Sequence, residues 1–506
     1  MTEPTALTLD PRRWRALAFI ALAQLMVVLD GTIVNIALPS AQHDLGISDA
    51  NRQWVITAYA LAFGGLLLFG GRIADRWGRR RAFIIGLIGF AGASALGGAA
   101  VNTGMLLGAR ALQGAFGALL APAALSLLTV MFTQPKERAK AFGVYGAISG
   151  GGAAVGLILG GLLTEYANWR WTLYVNVIFA IIAVAGAIFE IKEPAGSRNP
   201  NRLDIPGIVL AGAGLASLVY GFNKAETDGW SSPTTLGFII GALILLAGFG
   251  VVQSRTQAPL LPLRVVLDRN RGGAYLTIGI AVVGMFGAFL FLTYYLQIVL
   301  GYSPVKSGLA FLPMVVGMML GATQVAVRLL PKVPTRRLMV PGALIAASAM
   351  LILTQIKVGG SYPTHVLPAL VMLGFGMGLV FMPAMNLATR GVNPQDAGVA
   401  SAMVSTSQQV GGAIGTSLLS TIANSATANY ATSHAAQVHS QAAGAQLKSA
   451  SMVHGYSVAY WFAAGLLALA ALSAALLVNA RPQRDVHSSG DSTDNTEGAA
   501  PVLTAH

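Results

Sequence analysis

Two ionisable side chains lie inside apolar runs of the sequence, and they are the first candidates for chemistry. Asp30 interrupts the run 16–38, and Arg110 lies within the run 105–131, three residues before Gln113. A charge within a bilayer costs roughly 3 kcal/mol on insertion scales, so it marks a candidate functional site. At about 1.5 Å per residue, both charges fall in the outer half of a hydrocarbon core about 30 Å thick. We therefore predict a proton-coupling site of Asp30, Arg110 and Gln113.

A carboxylate that faces an aqueous cavity is suited to carrying a proton. Desolvation disfavours its charged form, whereas a nearby guanidinium favours that form. Opening and closing of the cavity would change both effects, so the proton would be held differently at the two faces of the membrane. Arg110 stays protonated and can only pair with Asp30 or modulate it. The alternative is a static ion pair, or a charge that faces water and moves no proton.

A charged turn follows the second apolar run, in the stretch GGRIADRWGRRRAF at 70–83. Its acid can accept hydrogen bonds from an arginine or a helix N-terminus, and its arginines can pair with acids or lipid headgroups. Its glycines permit close approach of another helix. The alternative is a loop that is basic for topology alone. We predict a cytoplasmic latch formed by Gly71, Asp75, Arg76, Gly78, Arg79 and Arg80.

Glycines recur mostly every fourth residue in the fifth apolar run, GAISGGGAAVGLILGGLL at 146–163. Small residues at this spacing let helix backbones approach closely in membranes. The run predicts a packing face that also acts as a swivel between bundles, and structural packing alone is the alternative. The glycines concerned are Gly146, Gly150, Gly152, Gly156 and Gly160.

Methionines are concentrated late in the chain, with eleven of the sixteen between Met285 and Met403. Methionine is flexible and polarizable and serves adaptable apolar binding surfaces. Aromatic, amide and hydroxyl side chains accompany these methionines, which predicts a soft substrate pocket. For any single residue, a lipid-facing position is the alternative. The candidate lining residues are Phe286, Tyr294, Gln297, Met382, Ser405 and Gln408.

The composition indicates an integral membrane protein with an all-α fold. Of 506 residues, 55% are hydrophobic and 10% are charged, against roughly 25% charged in soluble domains. The absence of cysteine excludes thiol chemistry. A spanning helix needs roughly 20 apolar residues. We predict fourteen spans, near 16–38, 53–70, 82–101, 105–131, 140–163, 171–190, 205–222, 235–252, 273–298, 307–329, 338–356, 366–388, 398–423 and 456–479.

The positive charges are distributed unevenly between the two sides of these spans. Of the 32 Lys and Arg residues, 25 fall on the side of the N-terminus and six on the other side, with Arg110 inside a span. This bias predicts cytoplasmic N- and C-termini. The net charge of +13 is then a consequence of topology, with anionic lipid headgroups rather than nucleic acid as partners.

A weak internal repeat divides the chain. GALLAPAALSL at 117–127 is echoed by GLVFMPAMNLA at 378–388, and such duplication is typical of secondary transporters that bind substrate between two halves. We predict six-helix bundles at 14–190 and 256–480, with two accessory helices, the seventh and eighth, inserted at 191–255. Residues 1–13 and the disordered tail 481–506 would be cytoplasmic. Residues 425–455 would form a long outer loop or surface helix, without a metal site.

Several of these motifs together resemble the major facilitator superfamily, and within it the fourteen-helix drug:proton antiporters. GRIADRWGRRRAF is similar to the superfamily's signature between helices 2 and 3. LDGTIVNIALPS (29–40) is similar to the helix-1 signature of the fourteen-helix exporters, with Asp30 at its acidic position, and RALQGAFGA (110–118) to the helix-4 signature. The resemblance extends over residues 14–480 and implies two six-helix bundles plus two inserted helices. It also implies that Asp75 and its arginines stabilise an outward-facing state.

Two stretches depart from the family pattern. The helix-5 signature usually has Gly-Pro before its last glycine pair, whereas this sequence has Gly156-Leu157. The bend attributed to that proline is therefore weakened. The C-terminal counterpart of the latch, VRLLPKVPTRR at 327–337, lacks the Asp and Gly. The latch is accordingly expected on one side only.

The expected function is proton-coupled efflux of small, largely apolar drugs or metabolites across the bacterial cytoplasmic membrane by alternating access. A proton symporter that imports a nutrient, or a transporter of lipid-type cargo, remains an alternative on the same fold. The buried residues lack the paired acids or histidine clusters of an enzyme. We expect no cofactor, with the proton as coupling ion. The expected partners are small-molecule substrates, protons and membrane lipids, and the protein would act as a monomer, with or without a periplasmic adaptor.

Overall fold

The computed structural model describes residues 12–47, 54–192, 204–257, 259–393, 396–435 and 440–480. Within these ranges the chain is helical and has no β-strand. Twelve of the described helices are long and apolar enough to cross a membrane. The predicted tail 481–506, residues 1–11 and the linker 193–203 lie outside the described residues.

The first half of the chain forms six long helices. Small residues and apolar side chains fill them, and turns of a few residues separate most of them. Their bounds are Arg13–Leu45 (α1), Trp54–Trp77 (α2), Arg79–Gly98 (α3), Thr103–Met131 (α4), Pro135–Tyr166 (α5) and Trp171–Glu190 (α6).

Two further helices, Ile205–Asp228 (α7) and Pro233–Arg255 (α8), follow and pack on each other. α7 also packs against α2, where Gly65 and Gly212 face each other closely enough that a Cβ on Gly212 would lie 2.9 Å from the Gly65 carbonyl oxygen. In contrast, most residues of the apolar stretch of α8 are not buried. α7 is therefore the contact helix of this pair, and α8 presents its apolar side chains outward.

The second half repeats the long-helix pattern. Its helices are Arg269–Tyr294 (α9, continued by a π-helical turn at Tyr295–Val299), α10, Arg336–Leu353 (α11), Leu367–Thr389 (α12, preceded by a π-helical turn at Tyr362–Val366), Ala397–His434 (α13) and Gln441–Leu477 (α14). α10 is an interrupted helix built from Pro304–Ala310, Leu312–Met319, the π-helical turn Leu320–Ala326 and Val327–Leu329. A short turn of helix, Leu263–Val266, precedes α9.

Each half is held together by its own helix contacts. In the first half α4 packs between α2 and α3, and α1 packs on α5 and α6; in the second half α12 packs on α10 and α11, and α9 on α13 and α14. Between the halves, α13 lies against α2 and α4, and α5 lies against α10 and α12. These two contact lines join the halves, and α7 packs beside one of them, against α2 and α13.

The segment 425–455, predicted as a long outer loop or surface helix, is mostly helical in its described residues. α13 continues to His434, and α14 already begins at Gln441, so the connection between them is short. The segment is rich in Ala and Gln, and both residue types favour helix even where no apolar face is available for packing. His439 lies outside the described residues.

Candidate functional site

Asp30 and Arg110, the two charges predicted to act together, form an ion pair in the first half of the chain. Arg110 Nη1 donates to Asp30 Oδ2 over 2.6 Å. Asp30 is 0% exposed and Arg110 1%. Gln113, one helical turn after Arg110, donates from Nε2 to Asp30 Oδ1 over 2.9 Å, and its Oε1 accepts from Arg110 Nη1 over 2.8 Å. α1 thus contributes the acid, and α4 contributes both of these partners.

Two further polar residues that the sequence analysis did not select complete this network. Asn176 of α6 donates from Nδ2 to Asp30 Oδ1 over 2.9 Å and to Ser94 Oγ over 3.0 Å. Ser94 of α3 also accepts from Gln113 Nε2 and donates to the Leu173 carbonyl oxygen. Both residues are fully buried. A polar residue in the otherwise apolar helix-6 run was the signal that could have identified Asn176.

Arg110 has contacts besides the ion pair that fix its orientation. Its Nε donates to the Val55 carbonyl oxygen over 3.1 Å, and its guanidinium lies 4.5 Å from the centre of the Tyr59 ring. Both residues belong to α2, so Arg110 joins three helices of the first half. A buried charge with several directed contacts is held in one position, and a shorter ammonium group could not make all of these contacts.

A cavity with room for about one water molecule lies beside Arg110, toward the end of this half opposite the turn at 70–83. Arg110 lines its inner end. Near its outer end, Trp169 donates from its indole N–H to Asp44 Oδ2 over 2.9 Å. Asp44 also pairs with Arg170. The lining residues are Val34, Ala37, Leu38, Ala41, Val55, Leu106, Arg110, Trp169, Thr172 and Leu173.

Asp30 was predicted to face an aqueous cavity, and in this conformation it does not. Its carboxylate is enclosed and has a donor on each oxygen. The cavity ends at Arg110 instead. Exchange of a proton at Asp30 therefore requires a rearrangement of the groups around it.

The predicted glycine face of the fifth helix divides between two neighbours. Gly152, Gly156 and Gly160 pack against α1, where they face Val28, Thr32 and Ile33 respectively. These positions of α1 flank Asp30. Gly146 instead faces α12, near Met382. The surroundings of Gly150 lie outside the described part of the chain.

Other glycines of the same helix, not selected from the sequence, touch the second half. A Cβ on Gly151 would lie 2.7 Å from Val315 Cγ1, and one on Gly143 would lie 3.3 Å from Val327 Cγ2, both on α10. One helix thus packs closely against the helix that carries Asp30 and against the opposite half. A movement of α5 would therefore change both its contact with α1 and its contact with α10.

The predicted latch residue Asp75 contacts the other half of the molecule. Its Oδ1 accepts from the backbone N–H of Gly398 over 2.8 Å, and its Oδ2 from that of Val399 over 3.2 Å. These N–H groups belong to the first turn of α13, where a helix N-terminus favours a negative charge. Arg79 Nη2 donates to the same carboxylate over 2.8 Å. Asp75 and Arg79 are both fully buried.

The remaining latch residues have different surroundings. Gly71 lies against α13 so closely that a Cβ would be 2.7 Å from both Ala402 Cβ and the Gly398 carbonyl oxygen. Gly78 has φ +100°, which favours glycine, and it is the N-cap residue immediately before α3. Arg80 donates to the carbonyl oxygens of Ala187 and Ile188 at the end of α6. Arg76 is exposed.

Further polar contacts between the halves lie at the same end and were not predicted. Asp396, immediately before α13, is 3.7 Å from Arg72 of α2 and 2.8 Å from Arg264. Arg138 of α5 donates to Thr389 of α12 over 2.7 Å. The second half therefore contributes an acid to this end of the molecule from Asp396, although the stretch 327–337 lacks one.

The six candidate lining residues have unlike surroundings. Phe286 and Tyr294 are 43% and 47% exposed, whereas Met382 is fully buried in the contact between the halves. Ser405 is buried, and Gln297 and Gln408 are half-buried. Among the glutamines of α13, Gln409 approaches the first half, because its Cγ would lie 3.6 Å from a Cβ on Gly64. In the described ranges no three His, Asp or Glu side chains form a group suited to a metal ion.

A family model described as "Major Facilitator Superfamily" matches residues 20–416. The chain is 52% identical over 476 residues to "Puromycin resistance protein pur8" of Streptomyces alboniger, covering 94% of this chain and 93% of the relative. It is 38% identical over 417 residues to "Cephamycin export protein CmcT" of Amycolatopsis lactamdurans, covering 81% and 85%. The crystal structure of the human organic anion transporter MFSD10 (TETRAN) superposes with a TM-score of 0.60 at 16% identity, covering 92% of this chain and 99% of that chain, which shows a common fold.

Proposed function

This chain belongs to the Major Facilitator Superfamily, and we propose that it exports small, largely apolar molecules in exchange for protons. Its relatives are drug and antibiotic exporters and resistance proteins, so it is a transporter rather than an enzyme, a multi-pass protein of the bacterial cytoplasmic membrane. The observation that carries the proton coupling is the buried contact of Asp30 with Arg110, Gln113 and Asn176.

The proposal assigns fourteen membrane spans, with both chain termini in the cytoplasm. It treats α5 and α13 as spans in addition to the twelve helices that satisfy length and apolarity. The Arg-rich turns then lie on the cytoplasmic side, as the distribution of positive charge requires. The Asp75 and Asp396 contacts are cytoplasmic in this orientation, and the cavity that ends at Arg110 approaches from outside.

Asp30 carries the proton in this scheme. In the charged form its carboxylate is stabilised by Arg110 and by two amide donors, which offsets the cost of burying it. Protonation removes the charge that holds Arg110 and weakens the links from α1 to α4 and α6. Because glycines of α5 pack on α1 beside Asp30, a shift of α1 would be transmitted to the contact between the halves.

The cytoplasmic contacts keep the inner side of the protein closed while cargo leaves outward. Asp75 stabilises the N-terminus of α13, and Arg72 pairs with Asp396 across the same contact. Opening toward the cytoplasm has to break both. Cargo binding from the cytoplasm would follow that opening, and release of the proton inward would accompany it.

The available driving force is sufficient for export. A membrane potential of about 100 mV supplies roughly 2.3 kcal/mol per charge. One pH unit supplies about 1.4 kcal/mol. Together they support a concentration gradient of roughly 500-fold per proton. No cofactor is needed beyond the proton, and the protein would act as a monomer.

The cargo follows from the relatives and from the character of the second half. A relative that is 52% identical over 476 residues is named for puromycin resistance, and puromycin is therefore the first cargo to test. Exposed Phe286 and Tyr294, together with the methionines, provide apolar and adaptable contacts. We assign the cargo as a class of small, largely apolar compounds that includes puromycin.

Transport in inverted membrane vesicles tests this proposal. An antiporter accumulates puromycin when the vesicle lumen is acidic, whereas a symporter would not. Asp30→Asn should abolish this accumulation, and Asp228→Asn, which changes a partly exposed acid paired with Lys224, should leave it intact. Accumulation that is indifferent to the pH gradient, or that persists in Asp30→Asn, would contradict proton antiport through Asp30.

A further inference from the structure

The buried network around Asp30 contains one polar atom without a partner. Among the described residues, Asn176 Oδ1 has no hydrogen-bond donor, although Asn176 is 0% exposed. An unsatisfied buried acceptor destabilises a fold. It lies on an amide whose other end donates to the acid that we propose to carry the proton. The unpaired Asn176 Oδ1 is therefore a candidate acceptor for a proton donor that is absent in this state of the protein.

The three groups that donate to Asp30 differ in whether they can also accept a proton from it. Arg110 has N–H donors and no acceptor. Gln113 has a carbonyl oxygen, but that oxygen already accepts from Arg110 Nη1 over 2.8 Å. Turning the Gln113 amide would break this charge-assisted hydrogen bond. Asn176 is the donor whose carbonyl end is free to move.

From this difference we infer that Asn176 is the positioning residue that accommodates both protonation states of Asp30. In the charged state Nδ2 donates to Asp30 Oδ1, as the structure shows. When a proton from outside water adds to the carboxylate, the amide turns by about half a revolution about χ2, and Asn176 Oδ1 accepts from the new O–H group. The turn leaves the Nδ2 end where the unpaired oxygen lay. This role rests on the proposed proton coupling through Asp30.

Ser94 is suited to support the same turn. Its hydroxyl accepts from Asn176 Nδ2 over 3.0 Å and donates to the Leu173 carbonyl oxygen over 2.8 Å. A hydroxyl is both donor and acceptor and rotates to suit its neighbours. After the amide turns, the hydroxyl can rotate its one proton away from the Leu173 carbonyl oxygen and donate it to Asn176 Oδ1. Asp30 and Ser94, which both accept from the Asn176 amide in this structure, can thus both become donors to it.

The test compares the removal of Asn176 with the removal of a group that only donates. Substrate-stimulated proton release by the purified full-length protein, with puromycin as probe, is measured across pH for wild type, Gln113→Leu and Asn176→Leu. Gln113→Leu removes a group that donates only to the charged form of Asp30, together with its hydrogen bonds to Arg110 and Ser94, so the midpoint of release should move to higher pH by about 1–2 units. Asn176→Leu removes one hydrogen bond to the Asp30 carboxyl group from each protonation state, so its midpoint should move less than half as far.

A second variant keeps the inference testable if Asn176→Leu fails to fold. Asn176→Gln retains an amide that can both donate and accept and that is long enough to reach the carboxylate, and its midpoint should lie within about half a unit of wild type. An equal upward shift in Asn176→Leu and Gln113→Leu, or a shift in Asn176→Gln as large as that in Gln113→Leu, would show that Asn176 is a donor alone and would overturn the inference. Release that persists in Asp30→Asn would instead overturn the proposed function, so the two failures are distinguishable.

Discussion

The carboxylate of Asp75 on α2 accepts a hydrogen bond of 2.8 Å from the backbone N–H of Gly398, in the first turn of α13 in the other half. One half of the transporter thereby supplies an N-terminal cap for a helix of the other half. This contact exists only while the halves are closed at the end that carries the Arg-rich turns. In the proposed alternating-access cycle, the strength of this contact therefore contributes to the equilibrium between the form closed at this end and the form closed at the opposite end.

Replacement of Asp75 by Asn should shift that balance toward opening at the cytoplasmic end. The loss of a charged cap costs about 1 kcal/mol, which corresponds to roughly a fivefold change in population. Because the chain has no cysteine, spin labels can be attached at Trp77→Cys and Lys332→Cys alone. Both positions are exposed. The distance distribution should gain a longer component in Asp75→Asn, and an unchanged distribution would show that the cap does not set the balance.

Arg72 and Asp396 should be energetically coupled across the same contact. They are 3.7 Å apart and both nearly fully buried, so removing Asp396 leaves Arg72 without this partner, whereas removing Arg72 leaves Asp396 paired with Arg264. We expect the losses of stability in Arg72→Ala and Asp396→Ala to add up to more than the loss in the double variant. The difference, the coupling energy, should be about 1–3 kcal/mol. Thermal unfolding of the four proteins in one detergent measures it. Simple additivity would show that the pair is too weak to hold the halves together.

The packing of α5 on α1 should tolerate no added methyl group at Gly156. A Cβ at that position would overlap the side chain of Thr32, two residues from Asp30. Overpacking of this kind costs about 1–3 kcal/mol. Gly156→Ala should lower both the melting temperature and the transport rate. Gly92→Ala is the matched control, because a Cβ there meets nothing within 4 Å. Equal behaviour of the two variants would refute a close-packing role for Gly156.

Lysine should not replace Arg110. The guanidinium donates to Asp30, Gln113 and the Val55 carbonyl oxygen at once and stacks on Tyr59, and an ammonium group cannot reproduce this geometry. We expect Arg110→Lys to lower proton-driven puromycin transport by at least about tenfold, the effect of roughly 1.4 kcal/mol. Arg15→Lys serves as the control, since Arg15 is exposed and pairs only loosely with Glu190 over 3.4 Å. Full activity of Arg110→Lys would mean that a positive charge alone suffices.

Much of the architecture followed from hydropathy and charge, because a bilayer restricts spanning segments to apolar helices. The all-helical fold and the membership of the superfamily were predicted and are confirmed. Asp30 and Arg110 were conspicuous as isolated charges in apolar runs, and Asp75 as an acid in a basic turn. Their partners were harder to predict, because Asn176, Ser94 and the N–H groups of α13 carry no charge and depend on helix rotation.

Other features could not be read from the sequence because they depend on which face of a helix meets which neighbour. The glycine spacing in α5 could not show that Gly146 and Gly156 face different helices. The polar, Ala-rich segment 425–455 gave no periodic signal, and its helix propensity was outweighed by its hydrophilic character. Asp396 was not selected because its importance comes from Arg72, more than 300 residues earlier in the chain.

Proton release upon substrate binding shows whether Asp30 carries the proton that is exchanged for cargo. Puromycin added to the purified protein in weakly buffered detergent solution should release protons from wild type. Asp30→Asn should still bind puromycin and should release none. Undiminished proton release from Asp30→Asn would show that a group other than Asp30 carries the proton.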